Sequence, residues 1–443
     1  MKNISFEAIE KFAKKTGEDR TVEILSNVLS SSDLKEVVFS NKGLDESKFQ
    51  FSLEVGTLPV TNQKKSGRCW IFSALNVLRE NVAKVCNLEK FELSQNYIAF
   101  WDKFEKINYF LNSVIQTSSL PITDRLVTYI LDTGIQDGGQ WDMLVGLVEK
   151  YGVVPKSAME ETFQSSNTAF MNRLINSKLR IYAKKLREEA KNSMENAYAL
   201  KEEMLYEMYS FLVMCFGEPP KKFDFEYTDK EGVYHIDEDL TPKDFYRLYV
   251  GLDLKDSYVS IVNSPTEDKP FYENITIDYL GNVAEFRAVK YLNLPMDEIK
   301  ELIIKQLSDG EIVWFGSDVS LKGERKKGIW SDECYNFERT LGLNFDFSKE
   351  DKLNYRDSAM NHAMVITGVN LDKNGRPNRW KIQNSWGDKS GEKGFYVMNG
   401  GWFDSFVYQA VINNKYLNKK QLEALQKEPK HFMPWDPMGT LAD

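Results

Sequence analysis

The spacing of apolar residues changes character twice along the chain. In CWIFSALNVLRENVAKV, which starts at Cys69, the positions Ile71, Ala74, Leu75, Leu78, Val82 and Val85 recur every three or four residues. That pattern predicts a helix with one buried face, and Ser66 and Gly67 stand just ahead of it. From about 160 to 216 the text stays helical but turns highly charged, as in LRIYAKKLREEAKNSMENAYALKEEMLYEMYSFLVM, and it stops at GEPP. One more helical stretch, MDEIKELIIKQLSDG, precedes the strand-like segments EIVWFGSDV, HAMVITGVNLD, RWKIQNSW, GFYVMNG and QAVIN, parted by Gly, Asn and Pro turns. Upstream, an amphipathic helix around Ser5 to Lys15, a polar loop and the extended FQFSLEVGTLPV read as an arm.

A helix-rich first part and a strand-rich last part predict an α+β fold with a cleft where the two meet. The expected divisions are an N-terminal arm over 1–60, a helical part with Cys69 over 61–160 and an inserted, mainly helical subdomain over 161–290; a β-rich part over 291–413 and a C-terminal arm over 414–443 follow. Length agrees, since 443 residues exceed what one simple core holds.

Composition then narrows the function. Apolar and charged fractions of 42% and 28% are those of a globular chain and argue against disorder. With no apolar run of membrane-spanning length, and no signal-peptide core in MKNISFEAIEKFAKK, the expectation is a cytoplasmic protein without membrane contact. Cys69, Cys86, Cys215 and Cys334 lack CxxC spacing, and His235, His362 and His431 give a multi-histidine centre little to build from, so no metal or cofactor is expected. A net charge of −9 argues against a generally basic nucleic-acid surface. Within LKGERKKG, Lys322, Arg325, Lys326 and Lys327 are expected to form a solvated loop, with a local nucleic-acid patch as the alternative.

The candidate chemistry lies in three separate stretches. TNQKKSGRCWIFSAL puts Cys69 at a helix start, where the positive end of the dipole favours the thiolate, with Gln63 six residues upstream. His362 opens the apolar strand of NHAMVITGV, and Asn384 follows a strand in KIQNSWGDKSGEKGFYVM, with Trp386 and Gly387 behind it. Singly, each has an ordinary explanation: a core cysteine, a structural histidine, a turn. Together each is the part another needs, with Cys69 as nucleophile, His362 as base and Asn384 as its orienting partner. Gln63 and the Cys69 N–H would then donate to an oxyanion, and Trp386 would shield the His362–Asn384 hydrogen bond.

Through Gln63, Cys69-Trp70, His362-Ala363-Met364 and Asn384-Ser385-Trp386-Gly387 the chain resembles the papain-like cysteine peptidases. The resemblance implies a two-lobe core, a helical lobe bearing the cysteine and a β-barrel-like lobe bearing the histidine and asparagine. SGRCW departs from the Gly-Ser that precedes papain's cysteine, and Cys69 and His362 stand much further apart in sequence. QKKSGRCW, FELSQNYIAFWDK, DGGQWDM, MNHAMVITGV, QNSWG and PWDPMGTLA extend the likeness over nearly the whole chain, to the bleomycin hydrolase and aminopeptidase C family and its bacterial members above all. This implies an intracellular thiol aminopeptidase for peptides with a free N-terminus, built with a helical insertion and an N-terminal arm and assembled as a homohexamer around an internal chamber. It also implies that Gly138 and Gly139 bind substrate backbone, which their missing side chains suit, although a glycine pair is also an ordinary turn.

The ending FMPWDPMGTLAD is stiff and apolar for a terminus. The resemblance implies that this arm lies in the cleft, where it closes the subsites beyond the first substrate residue and its carboxylate meets the substrate ammonium. That carboxylate belongs to Asp443, or to Ala442 if the enzyme trims its own last residue. A tail that merely packs on a neighbouring surface is the alternative, and a papain-like endopeptidase, a cysteine acyltransferase and a non-catalytic binding module remain open as functions. Cys86, Cys215 and Cys334 are expected as buried thiols, and His235 and His431 have no evident partners. Asn274 heads an NIT glycosylation pattern that a cytoplasmic protein would not present.

Overall fold

Twelve strands join in one sheet in the computed structural model, which describes residues 1–442 apart from the side chains of Asp45 and Glu46. Its middle is antiparallel, in the order Tyr258–Val262, Val407–Asn413, Val313–Ser317, His362–Leu371, Pro377–Gln383 and Phe395–Asn399. All but Tyr258–Val262, which lies within the insertion expected to be mainly helical, are the apolar runs expected as strands, and the sheet is covered on both faces. Alternation along them divides the interior. Met364 and Ile366 pack with Phe315, Trp380 and the inward face of the helix Met296–Ser308, whereas Ala363 and Trp314 face the helices of the first part. The architecture is α+β.

Helix Cys69–Val85 buries Ile71, Ala74, Leu75, Leu78 and Val82 as expected, but Val85 is 62% exposed. Val85 is the last helical residue, and the next one, Cys86, takes the inward place instead. Helix Gln95–Gln116 packs beside it, and the long helices Ala169–Ala190 and Met194–Phe216 pack on that one. In the first of the pair Met171, Ile175, Leu179, Tyr182 and Leu186 recur at helical spacing and are buried. Beyond these helices, Phe223–Thr228 and Tyr234–Leu240 form a separate hairpin, and Asn274–Ile277 and Lys290–Asn293 extend the large sheet. Cys86 and Cys334 are buried; Cys215 is only half-buried.

Both ends of the chain are fastened to the sheet. Helices Phe6–Gly17 and Arg20–Leu29 bury no residue, but Leu53–Glu54 further on pairs with the strand of His362, at Val369 and Gly368. Near the other end, Lys430–Phe432 adds a parallel strand beside Asn274–Ile277. Asn274 is fully buried, its amide donating to the carbonyls of Ala424, Leu425 and Lys427.

A buried charge pair holds the segment on which the cleft rests. Lys103, on helix Gln95–Gln116, meets Asp137, and both are almost fully buried. Asp137 also accepts from the Gly67 N–H at 3.0 Å, from Asn172 Nδ2 at 2.8 Å and from the Thr168 hydroxyl. Burial alone would raise its carboxyl pKa; Lys103, Thr168 and Asn172 outweigh that and hold it below the usual carboxylate range. A depressed carboxyl contributes stability above its unfolded pKa and loses it as pH falls through the folded one, so this contribution is complete at neutral pH. Lys103→Met, which leaves Asp137 charged without its paired ammonium, is expected to cost about 3–5 kcal/mol in thermal or denaturant unfolding, and Lys103→Met with Asp137→Asn less than that. A double variant as unstable as the single one would contradict this account.

Candidate active site

Cys69 begins its helix with no side-chain cap ahead of it, at the seam between that helix and the sheet. Two contacts one helical turn apart lock that seam to a single residue. The Ala363 N–H donates to Cys69 Sγ at 3.4 Å, and Ser73 Oγ donates to the Ala363 carbonyl at 2.8 Å. Trp314 Nε1 donates to the Trp70 carbonyl at 3.3 Å beside them. His362, which immediately precedes Ala363, is thereby brought to the thiol across 293 residues of sequence.

The imidazole is positioned from its far side. His362 Nε2 lies 3.0 Å from Asn384 Oδ1, and Trp386 packs against the ring with centroids 4.7 Å apart. Burial pushes the His362 pKa down to about 4; the Asn384 contact opposes this, and the charge of Arg325 adds to it. Arg325 reaches the site by lying over the Trp386 face, 3.8 Å from its centroid. An imidazole so buried is neutral on its own near pH 7, and becomes an imidazolium only where a thiolate beside it compensates the charge.

Gln63 is tied to the same turn. Its N–H donates to the Ser385 carbonyl at 2.8 Å, and its side-chain Oε1 accepts from Ser385 Oγ at 2.7 Å. Nε2 gives one hydrogen to the Ser66 carbonyl at 2.7 Å, which leaves the second for an oxyanion. Ser385 also donates its N–H to Asn384 Oδ1 at 2.8 Å, so one residue sets both the amide that holds the histidine and the amide beside the thiol. Gly387, at φ +75°, completes the turn where a Cβ would strike Asn62, and its N–H donates to the Thr61 carbonyl.

The glycine pair lies against the other wall. Trp70 Nε1 donates to the Asp137 carbonyl at 2.7 Å, and a Cβ on Gly139 would stand 2.4 Å from the Trp70 ring. Gly138 offers its carbonyl to Lys106 Nζ at 2.6 Å. Gly139 pairs in antiparallel fashion with Ala442, its N–H donating to the Ala442 carbonyl at 3.2 Å, and Gln140 Nε2 donates to the Thr440 carbonyl at 2.7 Å. The arm is secured by Trp435, stacked under Arg125 at 4.0 Å, and by Asp436, paired with the buried Lys269 at 2.8 Å. Ala442 is fully buried; Asp443 lies outside the described residues.

The structure therefore brings Gln63, Cys69, His362, Asn384, Trp386, Gly139 and Ala442 into one cleft. Sequence reading missed Ser385, although it stands inside the quoted NSWG, and missed Arg68, whose guanidinium pairs in bidentate fashion with Glu161 at 3.1 and 2.8 Å. That pair gives the departure at SGRCW a structural use. His235 and His431 do have partners, Asp229 at 2.9 Å and Asp278 at 2.7 Å, both remote in kind from the cleft. Among the described residues no group of three or more His, Cys, Asp or Glu could hold a metal ion, and no helix is long and apolar enough to cross a membrane.

A helix-borne thiol facing an amide-held imidazole across two parts of an α+β fold defines a site of the cysteine-hydrolase class. The chain belongs to the peptidase C1-like family, whose model matches residues 3–439. It is 46% identical to aminopeptidase C of Listeria monocytogenes over 439 residues, covering 99% of each chain. With bleomycin hydrolase of Gallus gallus it shares 38% identity, again over 99% of each. The crystal structure of pepw from Lactobacillus rhamnosis superimposes with a TM-score of 0.97 at 44% identity, covering 99% of both chains.

The geometry makes a direct prediction about the imidazole. In Cys69→Ala, where no thiolate can form, His362 is expected to remain neutral down to about pH 4 in an NMR titration. Protonation at its ordinary value near 6.5 would contradict the burial described.

Proposed function

We propose that the protein is a thiol aminopeptidase that removes N-terminal residues from peptides. The observation that carries this reading is the Gly139–Ala442 pairing, because the chain's own terminal arm fills the backbone-binding wall of a cleft that holds a cysteine, a histidine and an asparagine. A peptide can then extend only one residue to that side of the scissile bond. The names of the relatives, aminopeptidase C and bleomycin hydrolase, support the same activity.

In this reading Cys69 thiolate attacks the first peptide carbonyl, and Gln63 Nε2 with the Cys69 N–H receives the oxyanion. His362, oriented by Asn384 under Trp386, protonates the departing amine and then takes a proton from the water that releases the acyl group. Gly138 and Gly139 present the backbone surface, of which the arm uses a part. The terminal carboxylate, of Asp443 as encoded or of Ala442 after self-trimming, pairs with the substrate ammonium in a partly desolvated cleft. No metal or cofactor enters these steps.

The setting follows from the same features. A catalytic thiol needs reducing surroundings to keep its sulfur reduced, which suits a cytoplasmic location. The exposed Phe6, Ile9 and Phe12 of the first helix support assembly of copies, in the family's manner a homohexamer.

Cys69→Ala is the decisive variant. It is expected to sediment with the mass of six copies while hydrolysis of free-N-terminus peptides falls by at least about 10³-fold, and the wild type is expected to ignore the N-acetylated peptides. Intact masses of the two proteins separate the two candidate termini, since self-trimming leaves Asp443 only on the variant. Persistent hydrolysis by Cys69→Ala would overturn the nucleophile, and a single-copy mass would overturn the assembly.

A further inference from the structure

The basic run that sequence reading left as a solvated loop lies at the lip of this site. Arg325, Lys326 and Lys327 are exposed on the turn between Gly323–Glu324 and Ile329–Trp330. With Lys35 and Lys389 they line a cavity of about 720 Å³ between that turn and the helix Leu34–Val38. Among the described residues none of these five cations forms a salt bridge. Three carboxylates share the cavity with the five cations: Asp33, which accepts from the Lys35 N–H at 2.8 Å, Glu324, which accepts from the Lys326 N–H at 3.0 Å, and Glu36. Positive charge prevails there in a chain whose net charge is −9.

The turn is fixed to the site rather than hanging beside it. Tyr396 donates its hydroxyl to the Arg325 carbonyl at 3.1 Å, and its ring packs edge-on against Trp386. The Gly391 N–H donates to the Lys326 carbonyl at 3.3 Å. The Lys327 ammonium lies over the ring of Phe39, 4.5 Å from its centroid, and Phe39 itself lines the cavity.

Direction supplies the rest of the argument, and it rests on the aminopeptidase reading. The acyl side of a bound peptide lies toward Gly139 and Ala442. The leaving side departs past His362, which protonates it, then past Trp386, and so meets Arg325. We propose that this cavity is a leaving-side subsite for carboxylates, either an Asp or Glu side chain a few residues after the scissile bond or the C-terminal carboxylate of a short peptide.

The test uses the full-length enzyme and peptides sharing an N-terminal Leu-Gly-Gly. One arm varies the next residue among Asp, Asn and Lys with an amidated end; the other compares free-acid and amidated ends on a neutral peptide. In wild type at low salt, kcat/KM is expected to favour a carboxylate over its neutral or basic match by about fivefold, the worth of an exposed ion pair, and the preference should shrink at high salt. The arm that shows it identifies the source of the carboxylate. Lys326→Glu with Lys327→Glu, both on exposed positions, should reverse the preference. Equal rates in wild type, or a preference unchanged in that variant, would overturn the proposal while leaving the aminopeptidase reading intact; no cleavage of any peptide would overturn both. Inhibition by a single-stranded oligonucleotide without any charge preference among peptides would assign the surface to nucleic acid and overturn it as well.

Discussion

The grip of helix Cys69–Val85 on the backbone of Ala363 is the constraint from which the cleft follows. Cys69 Sγ accepts from the N–H of that residue, and Ser73 donates its hydroxyl to the same residue's carbonyl. The two side chains lie on the same helix face because they are four residues apart. A nucleophile and a base must agree to a fraction of an ångström, and a residue clamped at both of its backbone polar groups cannot slide. The strand then carries His362 on one side of this fixed point and the buried core residues Met364 and Ile366 on the other. Register and reactivity are thus set by one contact, since a slip of one residue would turn His362 out and an apolar neighbour in.

The two remaining walls are pinned to this seam by different physics. The turn Asn384–Gly387 is joined to the 61–63 segment by neutral hydrogen bonds, so the histidine's partner and Gln63 move as one unit. The Gly138–Gly139 wall is held by charge, through Lys103, Lys106 and Asp137 beneath Trp70. Burying such charges is costly unless each is satisfied, and here backbone carbonyls and N–H groups do much of that work. The terminal arm then adds a strand-like pairing to Gly139, as an extended substrate would.

Much of this was legible in the letters, for physical reasons that differ by element. The helix at Cys69 and the strands after residue 310 are amphipathic or continuously apolar, so their periods show directly, and Cys69, His362 and Asn384 were found because their chemistry is interdependent. The Lys103–Asp137 pair was not legible, because opposite charges 34 residues apart carry no period and only the fold makes them neighbours. The basic run is exposed on a turn as expected, but the contact of Arg325 with Trp386 was not legible for a related reason, since only the fold puts that ring beneath it. His431 had no visible partner because Asp278 reaches it only through the pairing of Lys430–Phe432 with Asn274–Ile277. Asn274 heads a glycosylation pattern that was discounted, and is a buried anchor for the approach to the terminal arm.

The central claim is that the terminal arm, by pairing with Gly139, makes an aminopeptidase of a cleft that could otherwise cut within chains. The most direct measurement is hydrolysis of matched N-acetylated and free peptides by the chain lacking Thr440–Asp443. The account predicts that this shortened protein loses rate on free N-termini and gains cleavage of blocked peptides at internal bonds, because both Gly139 and Gln140 lose their arm partners. Blocked peptides left wholly untouched, with free peptides trimmed as before, would contradict it.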